Sequence, residues 1–134
     1  MAQASLVKKL LIKPGNKVLV MNAPDDYTLG SLPEGAEAKT SGQGPFDVVQ
    51  CFVRSKAEID SLASKAIKAV KTGGMLWFVY PKKTGKIKTD IHRDVGWDAV
   101  KNTGWEGIAL VSVDDTWSAM RYRPAGDVKS RKRS

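Results

Sequence analysis

Short, continuous runs of apolar residues alternate along the chain with a segment of helical periodicity. Three of these runs are typical of parallel strands that are buried on both faces, and they span residues 17–21, 47–53 and 75–80. Ser55 followed by Glu58 forms a capping box, and apolar positions recur behind it at helical spacing, which predicts a helix over 56–71. A weak strand at 36–40 is expected to lie at an edge. Strands that alternate with helices indicate a parallel sheet with helices on both faces.

The two ends of the chain carry weaker signals. A short helix is expected near the start, and a second short helix could begin at Pro24. Thr89 or Asp90 is a candidate cap for a further helix. Two last strands are expected at 107–113 and 116–122, and because only two aspartates separate them they should form an antiparallel hairpin. The exposed edge of that hairpin would permit a dimer.

Three stretches resemble class I S-adenosylmethionine-dependent methyltransferases, in the order in which that family carries them. Residues 11–20 (LIKPGNKVLV) are similar to the approach to its first strand, residues 46–50 (FDVVQ) to its fourth strand, and residues 69–77 (AVKTGGMLW) to a helix end and its fifth strand. Residues 22–24 (NAP), 80–83 (YPKK) and 115–118 (DTWS) also resemble stretches of a family of small bacterial proteins of unknown function. The likeness covers roughly residues 8–124. It implies a Rossmann-like three-layer α/β sandwich, with a mostly parallel twisted sheet of about six strands and a C-terminal antiparallel hairpin.

The turn after the first strand departs from the methyltransferase pattern. That family places an acidic residue and several glycines there, so that the backbone can approach the cofactor without an intervening side chain. Here residues 21–26 read MNAPDD, and no glycine follows before Gly30. The second strand ends in Lys39-Thr40-Ser41 without the acidic residue that would hold ribose hydroxyls, and too few residues lie between it and Phe46 for a full helix and third strand. The usual cofactor mode is therefore not expected, and no cofactor is predicted.

Candidate ligand-binding residues follow the carboxyl ends of the predicted strands, because ligands of open α/β sheets bind there, near the point where strand order reverses. They are Asn22, Ala23, Pro24, Arg54, Tyr80, Lys82, Lys83, Asp114, Asp115 and Trp117. A crevice with basic, acidic and aromatic side chains could hold a small anionic or zwitterionic ligand, a nucleotide or a loop of a partner protein. The alternative is that these charges pair with one another at the sheet edge.

No catalytic or metal-binding set stands out in the sequence. His92 has Asp90 and Asp94 two positions away on either side, and residues two apart on a helix do not face each other. Cys51 is expected to be a buried packing residue, and no cysteine spacing suits a metal. Trp117 is expected to be partly exposed, so that it could stack on a ligand.

Composition and charge narrow the classes of function. Hydrophobic residues make up 42% and charged residues 27%, which is normal for a globular protein, and no apolar run is long enough to span a bilayer. A single cysteine and a lysine-containing start favour the cytoplasm. One domain is expected over 1–124, followed by a basic, disordered tail over 125–134. The net charge of +8 includes that tail and a lysine loop, which could bind anions or, weakly, nucleic acid through Lys82, Lys83, Lys86 and Lys88.

These features favour a noncatalytic module that binds a small ligand or a protein partner at its strand-end crevice, as a monomer or a homodimer. A divergent methyltransferase or another transferase is the second hypothesis. Nonspecific association with nucleic acid through the lysine loop and the tail is the third.

Overall fold

The computed structural model describes residues 10–24, 27, 32–40, 42, 45–82, 89–91, 97–113 and 116–124. These residues form six strands and two helices. In chain order they are β1 (Lys17–Met21), β2 (Glu37–Lys39), β3 (Phe46–Phe52), α1 (Lys56–Ala69), β4 (Val70–Pro81), α2 (Asp98–Lys101), β5 (Trp105–Ser112) and β6 (Trp117–Pro124).

The six strands form one sheet in the order β2-β1-β3-β4-β6-β5. The first four strands are parallel, whereas β6 runs antiparallel to both β4 and β5. This confirms the predicted mostly parallel sheet of about six strands with a C-terminal antiparallel hairpin. The chain leaves β1 toward β2 and then crosses to β3 on the other side of β1. Strand order therefore reverses between β1 and β3, which is where open α/β sheets bind ligands.

Each face of the sheet has its own apolar core. Both described helices pack on the first face, where Ile59, Ala63 and Ala66 of α1 are buried together with Val100 of α2. The second face holds a cluster around Trp77 and is covered by side chains of non-helical segments, namely Leu10, Ile12, Ala23, Tyr27, Leu32 and Ala36. No helix within the described ranges is both long and apolar enough to cross a bilayer.

The glycine pair after α1 lies inside strand β4. The helix ends two residues earlier than predicted, and β4 begins directly at Val70. The pairing of β3 with β4 shifts register between Phe46 and Val48, so β4 carries extra residues opposite Asp47. At Gly74 an added Cβ would lie 2.9 Å from the carbonyl oxygen of Asp47. The glycine is therefore required for close packing of two strands, which the local sequence does not distinguish from a helix stop.

Asp47 joins three strands at this bulge. Its carboxylate accepts a hydrogen bond of 2.7 Å from the backbone N–H of Lys17 in β1 and forms an ion pair with Lys71 in β4. The hydrogen bond and charge of Lys71, followed by the N–H of Lys17, lower the pKa of Asp47 below its usual value. The ionised carboxylate thus stabilises the start of the sheet.

Part of the helix predicted after Asp90 is present. Asp98–Lys101 is helical, and residues 92–96 lie outside the described residues. Asp90 caps a different helix, because its carboxylate accepts the N–H of Lys56 at the start of α1 at 2.8 Å. The expected helices near the start and after Pro24, and the tail over 125–134, lie largely or wholly outside the described residues.

Candidate functional site

Asn22 occupies the turn that leaves β1, at the point where strand order reverses. Its backbone is left-handed, with φ at +60°, a conformation that glycine adopts freely and asparagine tolerates better than other residues. The side-chain amide donates to the carbonyl oxygen of Phe52 at 2.9 Å and to Oε1 of Glu58 at 3.3 Å. The turn therefore has a backbone that suits glycine, but it carries a side chain that crosses from β1 to the end of β3.

Arg54 and Glu58 complete this bridge from the other side. Glu58 Oε1 accepts the backbone N–H of Arg54 at 2.7 Å, and Arg54 Nη1 lies 3.8 Å from the same oxygen and 3.5 Å from the carbonyl oxygen of Asn22. The N–H of Glu58 donates to Oγ of Ser55 at 3.2 Å, which confirms the predicted helix cap. About a third of each charged side chain is exposed, so solvent screens the ion pair and the hydrogen bonds chiefly set the geometry.

The prediction that Trp117 is partly exposed was wrong. Only 5% of Trp117 is exposed. Its ring packs edge-on against Phe52 with 5.1 Å between the ring centroids, and Cζ of Arg54 lies 5.5 Å from the centroid of the Trp117 ring. The hairpin places β6 beside β4, which brings Trp117 onto the same sheet face as Phe52. The Trp117 ring therefore contacts the guanidinium of Arg54 through a cation–π interaction and does not offer an open stacking surface.

The other predicted site residues separate into four groups. Tyr80 is only 5% exposed and lies on the sheet face opposite to Trp117, where its ring centroid is 5.3 Å from that of Trp97. Tyr80 is therefore part of the core and does not lie at the rim of the sheet. Lys82 is bound to the β5–β6 hairpin, since its Nζ donates to Oγ of Ser112 and its N–H to the carbonyl oxygen of Thr116, each at 2.7 Å. Ala23 and Pro24 are half-buried beside the turn. Lys83, Lys86, Lys88, Asp114 and Asp115 lie outside the described residues.

Two polar residues near the site were missed from the sequence. Glu58 was recognised as a helix cap, but its bond to Asn22 depends on β1 lying next to β3. Gln50 is fully buried in β3. Its Oε1 accepts a hydrogen bond from the hydroxyl of Tyr27 at 2.6 Å, and among the described residues its amide nitrogen has no hydrogen-bond partner. A single glutamine inside an otherwise apolar run was the available signal, because buried polar groups usually serve a specific contact.

The described residues include one cysteine and no cluster of three metal-ligating side chains. Burial, reinforced by the nearby charge of Glu58, raises the pKa of the Cys51 thiol to about 12, so this cysteine stays protonated and unreactive. Within the described part of the chain, no three histidine, cysteine or acidic side chains lie close enough together to hold a metal ion. The side chains around Asn22 can bind a ligand through hydrogen bonds and one guanidinium.

The solved structures to which this chain is similar include S-adenosylmethionine-dependent methyltransferases. A methyltransferase from Aquifex aeolicus is 11% identical with a TM-score of 0.58, over 90% of this chain and 88% of its own. The fold is methyltransferase-like. The DhpI–SAM–HEP complex is 13% identical with a TM-score of 0.61, over 92% of this chain and 86% of the other. Fibrillarin from Aeropyrum pernix, solved with natively bound S-adenosyl-L-methionine, is 11% identical with a TM-score of 0.55, over 91% of this chain and 76% of its own.

In sequence, no protein-family model matches the chain, and no curated protein is significantly similar to it. The structural similarity to methyltransferases covers about nine-tenths of the chain and confirms the resemblance that the sequence indicated. At these identities the likeness concerns the fold alone. The chemistry has to be argued from the residues at the end of β1.

Proposed function

We propose that this chain is a noncatalytic binding module built on a methyltransferase-like fold. A small ligand or a segment of a protein partner would bind over the surface formed by Asn22, Arg54 and Glu58, which we call the bridge surface. The observation that carries the proposal is the Asn22 side chain, which spans the reversal point of the sheet and donates to Phe52 and Glu58. A nucleoside lying against the backbone of this turn would have to displace that side chain.

A ligand that entered between β1 and β3 would have to break the hydrogen bonds of the Asn22 side chain, which would weaken its binding. Displacing Asn22 breaks its bond of 2.9 Å to Phe52 and the longer bond to Glu58, each worth about 1 kcal/mol in net terms. Two such losses correspond to roughly a thirtyfold weaker affinity. Binding on top of the bridge incurs neither loss.

The charges of the bridge surface indicate the kind of ligand. Arg54 and Glu58 are exposed to a similar extent and lie 3.8 Å apart, so the surface offers a donor and an acceptor side by side with little net charge. This pairing matches a zwitterion or a peptide segment better than it matches a phosphate, because a phosphate would be repelled by the carboxylate. An amino-acid-like ligand or a peptide of a partner protein is therefore favoured.

A divergent methyltransferase is the second candidate. It is supported by the solved complexes with S-adenosylmethionine that share this fold over about nine-tenths of the chain. For that function the Asn22 side chain would have to rotate away from Phe52 when the cofactor binds.

Calorimetric titration with S-adenosylmethionine at millimolar concentration distinguishes the two candidates. We expect no saturable heat with the native chain. Asn22→Gly removes the bridge while keeping a backbone suited to glycine, and is expected to improve binding at least about tenfold. Asn16→Gly, in the exposed turn before β1, is the matched control and should leave the titration unchanged. Saturable binding of the native chain in the micromolar range would refute the noncatalytic proposal.

A further inference from the structure

Gln50 is a buried polar residue in the middle of an apolar sheet face. It lies near the centre of β3 and pairs with Val20 of β1 on one side and with Trp77 of β4 on the other. Its side chain is fully buried, and its neighbours on this face belong to the apolar core around Trp77. An amide in such surroundings lowers stability unless both its donor and its acceptor are hydrogen-bonded.

The described chain meets only half of that requirement. Oε1 of Gln50 accepts a hydrogen bond of 2.6 Å from the hydroxyl of Tyr27, whereas Nε2 is buried and has no partner among the described residues. Nε2 carries two N–H donors, so the amide retains binding capacity beyond the bond to Tyr27. Buried polar atoms are nearly always hydrogen-bonded in folded proteins. Gln50 therefore offers a donor to a group that the described chain does not supply.

Tyr27 lies between Gln50 and the surface of the protein. The tyrosine is half-buried, whereas the glutamine is fully buried. The Tyr27 ring packs edge-on against Phe52 with 4.6 Å between the ring centroids, and its hydroxyl ends at Gln50. The space that this ring fills therefore has an aromatic ring along its side and an amide at its inner end. A ligand ring in the same space would reach Gln50 directly.

The chemistry of Gln50 indicates the kind of ligand. A phenol hydroxyl bonds to one of its two polar atoms, whereas a primary amide presents an N–H and a C=O side by side and can pair with both. A carboxylate would lose its hydration in this apolar core and would bring a second acceptor to Oε1. An aromatic ring that carries an uncharged amide thus fits both the space and the polar atoms.

We propose that the position held by Tyr27 is a binding site for an uncharged aryl amide, which displaces the Tyr27 side chain and pairs with both polar atoms of Gln50. The ligand ring packs against Phe52 as the Tyr27 ring does. The ligand amide donates to Oε1 and accepts from Nε2. This site lies on the second sheet face and uses none of the residues of the bridge surface, so its test does not depend on the function proposed above.

Benzamide and three compounds of similar size test the proposal by calorimetric titration. Phenol has a hydroxyl in place of the amide, toluene has no polar group, and benzoate has a charge. Tyr27→Ala removes the ring that fills the site, and apolar cavities opened in this way bind small aromatic molecules. In this variant benzamide should bind at least about tenfold more tightly than toluene, phenol should be intermediate, and benzoate should not bind. Adding Gln50→Leu as the matched control should abolish the preference for benzamide while toluene still binds.

Two-dimensional NMR of the native chain gives a direct readout, which decides the question even if Tyr27→Ala does not fold. The side-chain amide resonance of Gln50 should shift saturably with millimolar benzamide and stay in place with benzoate. Binding should be weaker than in Tyr27→Ala, because the hydrogen bond of 2.6 Å from Tyr27 must first break. Equal affinity of Tyr27→Ala for benzamide and toluene, or an unshifted Gln50 resonance in the native chain, would overturn the proposal.

Discussion

Replacing Asn22 tests whether the turn after β1 depends on both its backbone conformation and its side chain. Asn22→Gly removes the hydrogen bond to Phe52 but tolerates φ at +60°. Asn22→Ala removes the same bond and also places an alanine in a left-handed conformation. Asn22→Asp keeps the shape but directs a carboxylate at the Phe52 carbonyl and at Glu58, both of which are acceptors.

The structure sets the size of each effect. Loss of the two side-chain hydrogen bonds should lower the free energy of unfolding by about 2 kcal/mol in Asn22→Gly. Alanine at a positive φ adds about 1 kcal/mol of strain relative to glycine, so Asn22→Ala should cost about 3 kcal/mol. Asn22→Asp should lower the free energy of unfolding about as much as Asn22→Ala does. The substitution replaces the donating amide by a carboxylate, which would face two hydrogen-bond acceptors. Glycine is thus expected to be the mildest of the three substitutions.

Equilibrium unfolding in urea at neutral pH gives the free energies, provided the dependence on denaturant is the same for all variants. The predicted order is native, then Asn22→Gly, then Asn22→Ala and Asn22→Asp together. In exposed helix or strand positions alanine is normally milder than glycine, so the reversed order is specific to a left-handed turn. If alanine proved as stable as glycine, the left-handed turn at Asn22 would be refuted.

Two further predictions concern the bulge and the packing of the sheet. The pKa of Asp47 is lowered, chiefly by Lys71, so its contribution to stability is complete above the usual pKa and is lost as the pH falls through the lower folded value. Asp47→Asn should lower the free energy of unfolding by about 1 kcal/mol at neutral pH and should remove the part of its decrease at low pH that is due to Asp47, measured by urea unfolding at several pH values. If the variant lost stability at low pH as the native chain does, the stabilising role of ionised Asp47 would be contradicted. Gly74→Ala should cost about 1–3 kcal/mol, because its Cβ would lie 2.9 Å from a backbone oxygen. Gly107→Ala should cost less, since the flexible Met120 thioether that it meets can move, and equal melting temperatures for the two glycine variants would refute this reasoning.

The local sequence determined most of the elements. Continuous apolar runs predicted β1, β3 and the core of β4, because a strand buried on both faces has no polar side. Ser55 and Glu58 predicted the start of α1, since a helix cap involves residues only three apart. The absence of glycine after β1 was likewise visible directly. These signals could be read because each depends on neighbours within one turn of helix or one strand.

Only the tertiary structure decided which of these residues meet. Asn22 contacts Phe52, Asp90 accepts the N–H of Lys56 in α1, and the Trp117 ring contacts Arg54, although 30 to 63 positions separate the partners along the chain. Each contact depends on the order of strands in the sheet, which places β1 beside β3 and β6 beside β4. A hydrophobic pattern reports whether a position is buried, but it does not report which strand will be its neighbour. The bridge surface therefore arises from strand order, and that order is set by the packing of the whole sheet.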